Sequence, residues 1–273
     1  MGEPQPILTH LRQVLARIDP SLGPSSLAPG FVGEERMVGL AAPIDAVLGG
    51  GLACGALHEL APTAPMYLGA ASGFWLAVAV RASGRRGQVL WIATDFAAGE
   101  SGGPYGPGLD LFGMASARVL VLRVPKPVDV LWAMEEALRC RALACVVAEL
   151  TGDGAAADLT ATRRLALAAR EGAGSSGAQN SGLGLLIRHR TTSMPSAAAT
   201  RWEIASARSQ PDAYGGLGSA RFDLSLRKNR RGPSGRWIIE WDHHERAFQP
   251  AIPVGMAAAA LDRPDRALLV QAG

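Results

Sequence analysis

The segment Leu40–Val80, LAAPIDAVLGGGLACGALHELAPTAPMYLGAASGFWLAVAV, carries the surroundings of a phosphate-binding loop without the loop. Such a loop needs G-x-x-x-x-G-K-[ST] between a buried strand and a helix. Its amides wrap the phosphates, its Lys reaches the β/γ-phosphates and its hydroxyl holds Mg²⁺. Here the connection is Ala61-Pro62-Thr63-Ala64-Pro65-Met66-Tyr67-Leu68-Gly69, with no Lys and two prolines that remove amide donors. The chain has two lysines, Lys126 and Lys228, and neither is near. Other catalytic patterns fail on spacing. Gly49–Gly55 places its last Gly one position too late for G-x-G-x-x-G and precedes a strand, and no G-x-S-x-G elbow exists. Asp242-His243-His244-Glu245 lacks the i, i+4 spacing of a helical zinc site and reads as a polar turn closing a strand. No catalytic residue, metal site or cofactor is expected.

The strongest surface feature is Arg227-Lys228-Asn229-Arg230-Arg231-Gly232-Pro233-Ser234-Gly235-Arg236, five cations in ten residues without an acid. Turn residues at its centre and apolar Leu224, Leu226, Trp237 and Ile239 on its flanks predict a hairpin. Arginine there suits phosphate, which it grips bidentately, or an acidic protein surface; a plain solvated turn is the alternative.

Alternating apolar runs define the elements that would position these residues. Pro43-Ile44-Asp45 opens a short helix ended by Gly49-Gly50-Gly51, Gly55–Leu60 is a buried strand, and an apolar helix resumes near Ala70. Val89–Thr94, Val119–Val124 and Ala144–Leu150 are short apolar runs between breakers, hence buried strands, and Leu183–Arg188 is a fifth. Helices are expected over Pro127–Arg139, with Pro in its first turn, and over Asp158–Arg170. This order predicts a parallel sheet with crossover helices. Arg201–Ala207, Arg221–Arg227 and Arg236–Trp241 then read as an antiparallel addition at one edge. On Pro127–Arg139, Leu131, Met134 and Leu138 form a core stripe and Glu135-Glu136 a solvated acidic face, open to a partner's arginines. Ahead of the core, Ile7–Ile18 has helical spacing and Ser21–Gly30 is a flexible joint.

The run Pro43–Leu60 resembles the approach to the core of RecA/KaiC-type ATPases, where P-x-L-D-x-x-L-G-G-G-L-x-x-G leads into the first strand. Leu131–Arg139 and Leu226–Trp237 narrow this to a resemblance to the ImuA family, the inducible-mutagenesis proteins of bacterial damage-response cassettes, over roughly Gly39 to Asp242. The resemblance implies a RecA-like core with a degenerate P-loop. It places the metal-holding acid of an ATPase at Ala148, with Glu149 one residue on and, by strand alternation, on the other face. It places a catalytic carboxylate at Asp95, a position where a lone Asp also caps a helix or turn. Asp95 and Glu149 are thus vestigial ATPase positions. A loop after the fifth strand, which contacts DNA in RecA-like proteins, offers Arg188 and Arg190 as phosphate contacts. Its companion, Thr151–Ala157, is short and acidic, which counts against strand exchange. The implied partners are an ImuB-type inactive Y-family polymerase homologue, RecA, and an error-prone DnaE-type polymerase in the same complex.

The 273 residues suffice for one large core, and 48% apolar content with a net charge of +3 indicates a globular, mildly basic protein. Cys54, Cys140 and Cys145 form no C-x-x-C and read as small hydrophobes in a reducing compartment. No apolar run approaches the ~18 residues of a membrane span, and no signal peptide is visible. The expected architecture is an α/β, RecA-like core with a mostly parallel sheet over 39–249, preceded by an N-terminal helical arm and linker (1–38) and followed by an Ala/Pro-rich tail (250–273). The expected role is a cytoplasmic, non-enzymatic accessory of SOS mutagenesis and translesion synthesis. The alternatives are a DNA-binding accessory acting through Arg227, Lys228, Arg230, Arg231 and Arg236, a residual NTPase, and a SulA-like cell-division inhibitor.

Overall fold

The computed structural model describes residues 36–251 apart from 85–86, 153–155, 174–181, 212–215 and 217, together with His10, Leu11, Gln13, Val14 and Arg17 near the N-terminus. Those five positions are helical, and Leu11 is buried. The rest of the expected arm and joint, and residues 252–273 of the expected tail, lie outside the described residues.

Helix α1 (Ala42–Leu48) starts on Pro43 and ends at Gly49, whose φ of 74° is the left-handed conformation that glycine adopts without a Cβ clash. The glycine run then returns the chain to pair β2 (Leu52–Ala53) antiparallel with β1 (Met37–Val38). Gly51 is required there, because at its φ of 131° a Cβ would also lie 2.5 Å from the Val38 carbonyl oxygen. The chain continues through β3 (Leu57–Pro62), a 3₁₀ turn (Pro65–Tyr67), α2 (Leu68–Ser83) and β4 (Gln88–Thr94). Two short helices, α3 (Asp95–Ser101) and α4 (Gly106–Phe112), lead to β5 (Val119–Val124). Then come α5 (Pro127–Arg139), β6 (Leu143–Leu150), α6 (Leu159–Ala173), β7 (Leu183–Arg188), β8 (Thr200–Ser206), β9 (Arg221–Asn229), β10 (Gly235–Asp242) and β11 (Ala247–Pro250).

Nine strands form one sheet in the order β11-β10-β9-β8-β3-β7-β6-β4-β5. From β8 to β5 every pairing is parallel, and β8 to β11 pair antiparallel. One face packs on α1 and α2 through Phe74, Trp75, Trp202, Phe222, Trp241 and Phe248. The other packs on α5 and α6 through Ile92, Met134, Val146, Leu165 and Leu186. This mixed α/β arrangement, with its C-terminal antiparallel strands, is consistent with a RecA-like core.

Two strand expectations need correction. β5 is not buried but is the sheet's outer edge, with Val121 48% exposed, because only one of its sides has a neighbouring strand. The strand expected to open the antiparallel addition, β8, runs parallel to β3. The loop from Arg188 to Thr200 crosses back over the sheet, which is the connection a parallel pairing requires. Among the described residues no helix is long and apolar enough to cross a membrane.

Candidate functional site

The C-terminal ends of β3, β4 and β6 surround the connection where a nucleotide would sit. Three of its backbone donors are engaged internally: Thr63 N donates to Ile204 O at 2.8 Å, Tyr67 N to Ala64 O at 2.9 Å, and Leu68 N to Pro65 O. Pro62 and Pro65 have no N–H. Between α2 and α3–α4 lies a cavity of about 350 Å³, lined among others by Leu68, Gly69, Ser72, Trp91, Tyr105 and Glu149. The Glu149 carboxylate, 6% exposed, accepts from Trp91 Nε1 at 2.7 Å and lies 3.4 Å from His189 Nε2. Strand alternation therefore runs opposite to the sequence expectation. Ala148 belongs to the α5–α6 core, and Glu149 reaches the α2 side. Asp95 is exposed in the first turn of α3, whose cap is the neighbouring Thr94, accepting from Ala97 N at 3.0 Å. It does not line the cavity.

A second constellation fixes the loop after β7. Glu59, fully buried in β3, pairs with Arg188 Nη2 and Arg201 Nε, each at 3.1 Å, and accepts from Ser196 Oγ at 2.6 Å. Arg188 also donates to Ala157 O at 2.8 Å, and Arg201 to the carbonyls of Thr192 and Met194. The expected phosphate contact from Arg188 is thereby corrected. It is 2% exposed, turned inward because a buried carboxylate requires a cation. Arg190 is exposed on the same loop.

The basic hairpin forms between β9 and β10, with Leu226 opposite Gly235. Carboxylates hold Arg227 and Arg236 of its five cations, and a carbonyl holds Lys228. Arg227 pairs with Glu203 at 2.8 Å, Arg236 pairs bidentately with Asp223, and Lys228 Nζ donates to Ser196 O at 2.6 Å. Burial, and then Arg230 and Arg201, push the Lys228 pKa down. Arg230 and Arg231 are exposed, the latter with Nη1 3.8 Å from Met37 Sδ. Asn229 Nδ2 ties the loop to Val47 O at 3.1 Å.

No family model matches the chain. Over 206 residues it is 31% identical to Protein ImuA of Caulobacter vibrioides, in each of two strains, spanning 70% of this chain and 77% of the relative. The chain belongs to the ImuA family. At family level this attaches it to damage-inducible mutagenesis.

In this ImuA-family chain the remaining sequence candidates fall into place structurally. Asp242 to Glu245 form a turn in which Asp242 Oδ1 accepts from His244 N and Glu245 N, both at 2.9 Å. Among the described residues no group of His, Cys, Asp and Glu has the makings of a metal site. All three cysteines are buried and outside any disulfide. The acidic face of α5 is not solvated. Glu135 is 13% exposed and paired with Arg139 at 3.0 Å and Arg164 at 2.7 Å, so α6 supplies the arginine expected from a partner. Sequence reasoning missed Glu59 and the adjacent His58. His58 Nδ1 accepts from the Thr200 hydroxyl at 2.7 Å while Nε2 donates to Ala53 O at 2.9 Å, and Trp202 Nε1 donates to the same hydroxyl at 2.7 Å. Charged and polar residues inside the run Leu57–Leu60 were the available signal.

Proposed function

We propose that the chain is a non-enzymatic accessory protein of damage-induced mutagenesis and translesion synthesis. In this reading a RecA-like core with a degenerate P-loop serves as a docking surface. Its partners are an inactive Y-family polymerase homologue and RecA, with an error-prone DnaE-type polymerase in the same complex. The observation that carries the reading is the β3–α2 connection. Where ATP phosphates need free amides and a Lys, it has prolines, amides bonded to the chain's own carbonyls, and the Glu149 carboxylate on the cavity wall. The residual-NTPase reading fares worse, since Arg81 lies near the far end of α2, bonded to Gly39 O and Arg246 O.

The test is a pull-down of the purified protein with RecA and with the polymerase homologue, with and without ATP. Capture of both partners, with a polymerase-homologue interaction indifferent to ATP, is the expected outcome. Capture of neither sinks the docking reading. A Mg²⁺-dependent ATP stabilisation that disappears in Asp95→Asn would restore the NTPase.

A further inference from the structure

The cavity between α2 and α3–α4 carries a carboxylate on an otherwise largely apolar wall. Leu68, Leu76, Trp91, Leu109 and Phe112 supply the apolar surface, and Glu149 is the one carboxylate among the described residues lining it. Its side chain is buried. Oε1 accepts from Trp91 Nε1 at 2.7 Å, and Oε2 lies 3.4 Å from His189 Nε2. An indole N–H leaves the carboxylate's charge in place, and an imidazole offsets it only when protonated. Glu59, two strands away in β3, shows the contrast, because Arg188 and Arg201 both pair with it. A carboxylate held away from water gains most from a cation beside it.

The surrounding charge is acidic as well. The elements that form the walls, α2, β4, α3, α4 and β6, carry Asp95, Glu100, Asp110 and Glu149 against Arg81. Arg81 is turned to Gly39 O and Arg246 O near the far end of α2. Just outside those elements, Arg123 of β5 brings Nη2 to 3.5 Å from the point that a Gly103 Cβ would occupy, and Arg190 is exposed after β7. Four acids against these three arginines repel phosphate and attract a cation. At about 350 Å³ the cavity stands at the small end of ligand pockets, which run from roughly 300 to 1,000 Å³. Its lining segments also present apolar groups to water: Tyr105 is 72% exposed, and Met66, next to Pro65, is 80% exposed. A free small cation would leave both in water, whereas a polypeptide carrying the cation covers them.

We infer that this cavity receives an arginine side chain of a protein partner, with the guanidinium on Glu149 and the aliphatic stem along the leucines. Arginine suits the site better than lysine. Trp91, Tyr105 and Phe112 place aromatic rings in the same cavity as the carboxylate, and a planar guanidinium engages both. An arginine seated in a desolvated pocket is also the kind of anchor that dominates an interface. This assignment rests on the docking reading above and gives the chemistry that the partner presents.

Isotope-edited NMR of the full chain tests this through the Trp91 indole N–H, a signal assigned by its loss in Trp91→Phe. N-acetylarginine methylamide should shift that signal saturably, the lysine analogue less, and the uncharged citrulline analogue not at all. Glu149→Gln keeps the size and an acceptor for Trp91, and should weaken arginine binding about tenfold or more. Gly69→Leu should do the same from α2, since a Cβ there meets nothing within 4 Å and the added side chain takes up the cavity. Thermal unfolding of each variant separates weakened binding from a damaged fold, and either variant decides the matter if the other fails to fold. An equal shift by citrulline, undiminished binding by folded Glu149→Gln, or no saturation by the parent overturns the inference. The pull-down with RecA and the polymerase homologue is then repeated with both variants, and loss of capture of one partner is expected. Equal capture by the parent and the folded variants overturns the inference and leaves the docking reading standing. Capture of neither partner by the parent sinks the docking reading itself, and the partner's arginine with it.

Discussion

At residue scale, burial pushes the His58 pKa from 6.5 down to about 4, against the pull of the Ala53 carbonyl that Nε2 meets, so the imidazole is neutral in the core. Between those values the unfolded chain holds a proton that the folded chain excludes, so stability falls as pH drops through the window. The contribution is complete above about pH 6.5 and gone below about pH 4, at ~1.4 kcal/mol per unit and about 3 kcal/mol in all. Urea denaturation at a series of pH values should show this fall, and His58→Gln should flatten it. Glu59 makes a larger demand, since Arg188 beside it is buried and cannot turn to water. Glu59→Ala is expected to cost about 3–5 kcal/mol in the same measurement, with Arg188 left as an uncompensated charge. Neither effect follows from composition, because both depend on which residues of β7, β8 and their connecting loop face β3.

At the scale of elements, α5 was readable to the residue because Pro127 fixes its first turn and its apolar positions keep helical spacing. The helices α3 and α4 were not readable. Their sequences, DFAAGES and GPGLDLF, are short and interrupted by Gly and Pro, and they persist because Ala97 and Leu109 are buried against the core. Packing of α5 on α6 depends on Gly172, where a Cβ would overlap the Leu138 carbonyl oxygen. Gly172→Ala must part the two helices, and an increase in volume at such a contact costs about 1–3 kcal/mol. A lowered thermal midpoint, with the helical circular dichroism preserved below it, is the expected reading. Replacing Arg227 by Ala should barely move that midpoint, because its pair with Glu203 is largely exposed and worth about 0–1 kcal/mol.

At the scale of the whole molecule, the strand ends that serve nucleotides in ATPases carry prolines, amides bonded to the chain's own carbonyls and an acid. Mg²⁺-ATP is therefore expected to leave the thermal midpoint unchanged at millimolar concentration, as differential scanning fluorimetry would record; a stabilisation of several degrees would contradict the proposed role. By itself the sequence determined the order of the strands β3 to β10 and of the helices α1, α2, α5 and α6, since burial imposes hydrophobic period and breakers punctuate it. It also determined the missing Lys and, through shared residues, the family. The tertiary structure decided which charges are available. Arg188, Arg227 and Arg236 are equivalent to any surface arginine in a linear reading, yet Glu59, Glu203 and Asp223 meet them only after β3 pairs with β7, β8 with β9 and β9 with β10. Likewise Arg36, Arg81, Arg118 and Arg246, far apart along the chain, gather at the base of α2 only through the fold. Electrostatic interaction depends on distance and burial, and a linear sequence specifies neither.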